Sequence, residues 1–128
     1  MATTEERDIF NNEYIQIYTI GIGNIVLLFQ NEVEKILAIG EQMNEINEEA
    51  YMNGYNWDAF FNYYLGKNAP DILESMESEA GSYTAYFEDT AENEQKAKRF
   101  ADIIISLIEN EEEIYKILRE KGDEIEWD

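Results

Sequence analysis

The chain has no cysteine and no histidine, a single proline among 128 residues, and 9 Lys plus Arg against 29 Asp plus Glu. Each shortage closes off chemistry. Without cysteine there are no disulfides and no thiolate nucleophile, and a reducing compartment suits such a chain. Without histidine there is no general base of ordinary pKa near 7, and the common zinc sites lose their ligands. The scarcity of bases leaves a formal charge of −20. Such a field repels phosphate backbones and anionic membranes, and it speeds encounter with a basic protein. The same charge also serves as a plain solubility or salt-tolerance surface, and it destabilises the compact state by self-repulsion. The longest apolar run, residues 25–29, is far short of the roughly 20 residues that a spanning helix needs. Residues 1–12 are polar and acidic, without the basic and apolar regions of a secretory signal. These features together point to a cytoplasmic protein.

What is present suffices for one folded domain over residues 1–128, with 1–12 expected to pack loosely. Apolar residues make up 45%, too many for a disordered acidic tail. Residues 13–20 and 22–30 are β-branched, aromatic and apolar, and read as two strands. Gly21, Gly23 and Asn24 supply the positive-φ positions of the turn between them. Helical spacing follows over 32–46, where Val33, Ile36, Leu37 and Met43 share a face and Gly40 weakens the middle. Asn53-Gly54 marks a turn, Asn56 is placed to cap a helix over 57–65, and Gly66 and Pro70 stop it. Residues 72–76 and 82–88 form a second hairpin. Asp89 and Glu92 suggest a capping box before a long amphipathic helix ending near Glu109. A last helix over 111–121 buries Ile114, Ile117 and Leu118, and leaves Ile125 and Trp127 to dock. The expected fold is α+β: an antiparallel sheet of about four strands, in two hairpins, packed against about four helices.

Most catalytic templates fail on this sequence. Gly21-Ile22-Gly23 opens like a dinucleotide loop, but Val26 stands where the third glycine is needed. There is no phosphate-binding loop, no triad and no Glu-x-x-His di-iron motif. A calcium loop centred on Gly54 fails because Tyr51 and Phe60 occupy ligand positions. No cofactor and no metal are expected. A carboxylate pair can hydrolyse glycosides, but among 29 acids some pair stands at every distance, so that pattern singles nothing out. Glu111-Glu112-Glu113 suits a helix N-terminus better than a metal.

The distinctive stretch is aromatic. Tyr51, Tyr55, Trp57, Phe60, Phe61, Tyr63 and Tyr64 fall within fourteen residues. Trp57, Phe60, Phe61 and Tyr64 share one helical stripe and read as core. One helix face does not hold all seven, so Tyr51, Tyr55 and Tyr63 are expected to be partly exposed. From Asp8 to Gly66 there are nine acids and one base, Lys35. Tyrosine beside Glu48, Glu49 and Asp58 suits a protein-binding surface, since tyrosine gives rigid contact area and carboxylates meet Arg or Lys. Stacking on nucleic-acid bases needs interleaved bases, which are missing.

The segment Asn53-Gly54-Tyr55-Asn56-Trp57-Asp58-Ala59-Phe60 resembles the N-G-Y-[DN]-W-[DE]-x-[LF] signature of the bacterial immunity protein 51 family. Glu79-Ala80-Gly81-Ser82-Tyr83 is similar to that family's acidic E-A-G-x-[FY] turn. Glu77-Ser78 departs from the Asp-Pro more usual before that turn, which leaves the turn's shape open. The resemblance spans roughly residues 14–118. It implies a protein encoded beside a polymorphic toxin, protecting the producing cell by binding that toxin, with no catalytic residues. Gly54, Trp57, Phe60 and Gly81 then read as structural, Gly54 and Gly81 for turns and Trp57 as an anchor. Asp58 and Glu79 either cap local donors or meet a partner. The leading reading is an immunity protein that occludes a basic toxin, with no nucleic-acid or membrane partner. Two alternatives stay open: an acidic mimic of nucleic acid that inhibits DNA-binding proteins, and a small carboxylate-dependent enzyme.

Overall fold

The computed structural model describes residues 8–20, 23–72, 75–79 and 82–127. Five antiparallel strands form one sheet in the order β1-β2-β3-β5-β4. They are β1 (Asp8–Asn11), β2 (Ile15–Ile20), β3 (Asn24–Gln30), β4 (Ser75–Glu79) and β5 (Ser82–Glu88). Four helices accompany them: α1 (Glu34–Ile46), α2 (Gly54–Asn68), α3 (Ala91–Glu109) and α4 (Glu111–Lys121). The architecture is the expected α+β one. Both expected hairpins are present, β2 with β3 and β4 with β5. A fifth strand, β1, extends the edge beside β2 within the segment expected to pack loosely, and Ile9 and Phe10 lie partly buried against the core. The Asn12 side chain closes that turn by accepting from the backbone N–H groups of Tyr14 and Ile15, at 2.9 and 2.7 Å.

Strand alternation sets the two faces of the sheet. Pairing places Ile15 opposite Phe29, Ile17 opposite Leu27, and Thr19 opposite Ile25. The row continues through Phe87, Ala85 and Tyr83 on β5. All of these side chains are buried. Gln16, Tyr18, Leu28, Thr84 and Tyr86 alternate with them and are half-buried. Gly23 has φ +89°, a left-handed conformation that suits glycine, and it accepts from Asp89 N–H. Asn24 begins β3 with negative φ, contrary to the expected turn role, and Gly21 lies outside the described residues.

The helices fill the buried face with aromatic rings. Phe61 on α2 lies 5.3 Å from Phe29, 5.5 Å from Trp57, 6.0 Å from Phe60, 5.2 Å from Tyr83 and 5.7 Å from Phe100 of α3, centroid to centroid. Most of these pairs meet edge to face, the geometry the ring quadrupoles favour. α3 buries Ala97, Phe100, Ala101, Ile104, Leu107 and Ile108, as its spacing predicts. α4 packs on α1 and α3 and buries Ile114, Tyr115 and Leu118, while Ile117 is half-buried. Ile125 is buried behind it, and the Trp127 indole N–H donates to Gly122 O at 3.2 Å.

Helix ends differ from the sequence reading in three places. α2 starts one turn earlier than expected, because Asn53 and not Asn56 is the cap: its side chain accepts from Asn56 N–H at 3.0 Å. Gly66 does not end α2. It is exposed inside the helix, which runs on to Asn68 before Ala69 and Pro70 stop it. The cap of α3 is Thr90, whose hydroxyl accepts from Asn93 N–H at 3.1 Å, and not Asp89. The second strand of the later hairpin matches, but residues 70–72 are a 3-10 turn, so β4 begins at Ser75.

Two outcomes follow from this packing. Phe61→Ala removes the ring that joins five others, and urea denaturation is expected to show a loss of about 3–5 kcal/mol. Burial, with Glu111 and Glu112 adding to it, pushes the Tyr115 phenol up to about 12 from its ordinary 10.0. The folded state therefore keeps this proton where the unfolded chain releases it. The stability it contributes is complete below pH 10 and is lost as pH rises toward 12. Unfolding free energy measured across that range should fall with pH, and Tyr115→Phe should flatten the fall.

Candidate functional site

Residues 47–53, between α1 and α2, form a loop held by asparagine side chains. Asn47 Oδ1 accepts from Glu49 N–H at 2.9 Å. Asn44 Nδ2 donates to Glu48 O at 3.2 Å. Asn56, buried in the first turn of α2, donates from Nδ2 to Tyr51 O at 2.7 Å and to Glu49 O at 3.5 Å. Its carboxamide thus replaces the neighbouring strand or helix that an irregular loop lacks. Ala50 is buried beneath the loop, which turns the backbone of Tyr51 inward and its ring outward.

Tyr51 is 71% exposed, and Tyr55, in the first turn of α2, is 41% exposed. Glu48 and Glu49 are exposed beside them. Three of the expected tyrosine and glutamate positions, Glu48, Glu49 and Tyr51, thus sit on one loop, and Tyr55 adjoins it. Asp58 and Tyr63, both half-buried, lie further along α2 on opposite flanks of Tyr55, at spacings of three and eight. Asp58 accepts from Asn62 Nδ2 at 2.7 Å, and its charge adds to the burial that holds the Tyr83 phenol well above its ordinary value. Tyr63 is half-buried, carries Lys67 Nζ 5.8 Å above its ring, and lines a groove with Ala59, Asn62, Glu124 and Glu126. Tyr63 is therefore engaged with its own chain more than Tyr51 is. Glu79 ends β4, in register with Ser82, and Gly81 lies outside the described residues. Gly54, Trp57 and Phe60 are buried, and Gly54 opens α2 without a positive φ and not as the turn glycine the sequence suggests.

Val33 and Tyr64, read as core, are half-buried, and the sequence reading also misplaced Leu37. It is 46% exposed, not part of the buried face, which is Ile36, Ile39, Gly40 and Met43. Those positions follow the i, i+3, i+4, i+7 pattern, and Leu37 stands about 100° off it. With Gly40, Glu41, Asn44, Tyr51 and Met52 it lines a groove of about 240 Å³ between α1 and the loop. Gly40 has a packing reason that sequence alone did not suggest. A Cβ there would lie 3.0 Å from Met52 Cβ, so the loop closes onto the bare helix backbone.

Bases are mostly tied up elsewhere. Lys35 is paired with Glu109, and Arg99 grips Asp71 through two nitrogens at 2.8 and 3.3 Å. That pairing holds the Asp71 carboxyl below its ordinary value. Lys98 and Lys121 pair with Glu94 and Glu124, at 3.3 and 3.4 Å. Arg119 of α4 lies across a second groove from Glu48 and Glu49. Among the described residues no group of three or more acids is gathered as a metal ion would require, and no helix is long and apolar enough to cross a membrane.

The scaffold is α+β, and its loop between α1 and α2 is pinned by asparagines and presents Glu48, Glu49 and Tyr51 to solvent. The sequence profile of the family described as Immunity protein 51 matches residues 19–123, and the chain belongs to that family. It is thus an immunity protein, and membership of this family implies binding of a cognate toxin. No curated protein and no solved structure matches the chain.

Asn56→Ala tests how the loop is held. It leaves the Tyr51 carbonyl without its donor, and a loss of about 1–3 kcal/mol is expected. Amide exchange over residues 47–53 should quicken more than in α3 if the carboxamide pins the loop.

Proposed function

We propose that this chain neutralises a basic toxin domain in the cytoplasm of the producing cell by covering it with the surface built from residues 47–53 and the outer side of α2. The observation that carries this reading is Tyr51: an aromatic side chain, 71% exposed, on a loop whose backbone is held by three asparagines and flanked by Glu48 and Glu49. Family membership supports a toxin as the partner. The net charge of −20, and nine acids against one base from Asp8 to Gly66, support a partner of opposite sign. Tyr51 and Tyr55 would supply contact area at small entropic cost, having only two rotatable side-chain bonds each. Glu48, Glu49 and Asp58 would meet Lys or Arg at the rim, with Tyr63 and Glu79 as outlying contacts.

Electrostatic steering raises association toward ~10⁸ M⁻¹s⁻¹ at low salt, and a stable complex of this kind buries about 1,600 Å² in total. The reading is tested with the toxin domain encoded beside this chain, in stopped-flow mixing at low and high salt. Binding at both salts is expected, with an association rate that falls at least on the order of ten-fold as salt screens the charges. Glu48→Gln with Glu49→Gln should slow association and leave dissociation nearly unchanged. Absence of binding at either salt rejects the reading.

A further inference from the structure

The groove between α1 and the loop combines three features that separately mean little. Its lining is largely apolar: Leu37, Met52 and the ring of Tyr51, with Gly40 contributing only backbone. A single exposed leucine is ordinary on a soluble protein. Here Leu37, at 46%, and Tyr51, at 71%, stand on the same groove. The walls are already in place, because Asn56 and Asn44 fix the loop at Tyr51 O and Glu48 O, and Met52 seats against Gly40. A preformed recess saves the ordering cost that a mobile loop would incur on binding.

The lining of the recess carries charge of one sign, and Arg119 meets its rim only from across the second groove, opposite Glu48 and Glu49. Glu41 is in the lining, Glu45 lies one turn further along α1, and Glu48 and Glu49 follow on the loop, all of them exposed. No Lys or Arg lines the groove, and the chain has none between Lys35 and Lys67. Lys35 is directed to Glu109 at the end of α3. A second copy of this chain would bring the same carboxylates face to face, which like charges oppose. A segment with bases on either side of an apolar residue fits both the recess and its rim.

Resting on the toxin-binding reading above, we infer that this groove is the energetic anchor of that complex: it takes one apolar side chain from a toxin segment flanked by Lys or Arg. The apolar contact sets how long the complex lasts, and the rim acids set how fast it forms. This division of labour is separable by experiment.

The test uses the full chain and the toxin domain encoded beside it, with association and dissociation measured for wild type, Leu37→Ala, Tyr51→Ala and the double variant. Each single substitution is expected to weaken binding on the order of 30-fold or more, mainly through faster dissociation and about equally at low and high salt. Glu41→Gln is expected to slow association and to reduce its salt dependence. Leu37 and Tyr51 are exposed, so the thermal midpoint should not fall, and circular dichroism checks that the fold is kept. Deuterium exchange should show new protection over residues 37–52 in the complex. A double variant that binds and protects as wild type does overturns the groove as anchor and takes Tyr51 out of the proposed surface, while toxin binding by the chain stands. A wild-type chain that binds no toxin removes both. A free-chain dimer in light scattering that Tyr51→Ala dissolves assigns the groove to a second copy and likewise overturns the inference.

Discussion

Phe61 ties three parts of the molecule together. Its ring meets Phe29 from β3, Tyr83 from β5, Phe100 from α3, and Trp57 and Phe60 from its own helix. The sheet meets it with two large rings, Phe29 and Tyr83, which stand in register across β3 and β5. Rings from the helices pack against this pair, and edge-to-face contact fixes most of their relative angles. The position of α2 on the sheet therefore follows from the cluster. The loop that precedes α2 inherits that position through Asn56, one residue before Trp57.

Against this core stands a surface of strong self-repulsion, with 29 acids and 9 bases. The bases are used to join elements: Lys35 ties α1 to the end of α3, and Arg99 ties α3 to the 3-10 turn at Pro70–Ile72. Exposed pairs of this kind add little stability each. Their consequence for the surface is larger, because every base engaged this way is withdrawn from the field that an approaching protein meets. The side bearing Glu41, Glu45, Glu48 and Glu49 keeps its charge with little local compensation beyond Arg119. A high net charge alone gives solubility. An uneven one also gives direction to an encounter.

Much of the fold could be read from residue order, because several elements carry their own instructions. The alternation in β5 and the apolar spacing in α3 and α4 were each decisive locally, and those elements lie where they were expected. Two of the misreadings come from competition between residues of equal local merit. Asn53 and Asn56 both suit a helix cap. The choice falls to Asn53 because the carboxamide of Asn56 is needed by Tyr51 O, a partner that only the folded loop provides. Asp89 and Thr90 present the same ambiguity. The spacing groups Leu37 with Val33, four residues earlier, but Val33 is the half-buried cap of α1 and the buried stripe is set by Ile36, Ile39, Gly40 and Met43, which leaves Leu37 about 100° away. The tyrosines were separable in part: Tyr51 and Tyr55 are exposed, but Tyr63 is drawn back toward Lys67 and the C-terminal segment.

The family signature now has a physical interpretation. Of its positions in this chain, Asn53 caps α2, Gly54 and Asn56 are buried in the first turn, and Trp57 and Phe60 belong to the aromatic core. Asn56 also grips the loop from below. The motif thus describes how a loop is attached to a helix and how the helix is seated on a sheet. Leu37, Glu41 and Tyr51, which line the groove, fall outside it. A scaffold specified by one set of residues and a contact surface carried by another can be retuned toward a different partner without disturbing the core. Glycine at position 40 sets the limit on that freedom: a side chain there must displace Met52, and with it the wall of the recess in which any anchor has to sit.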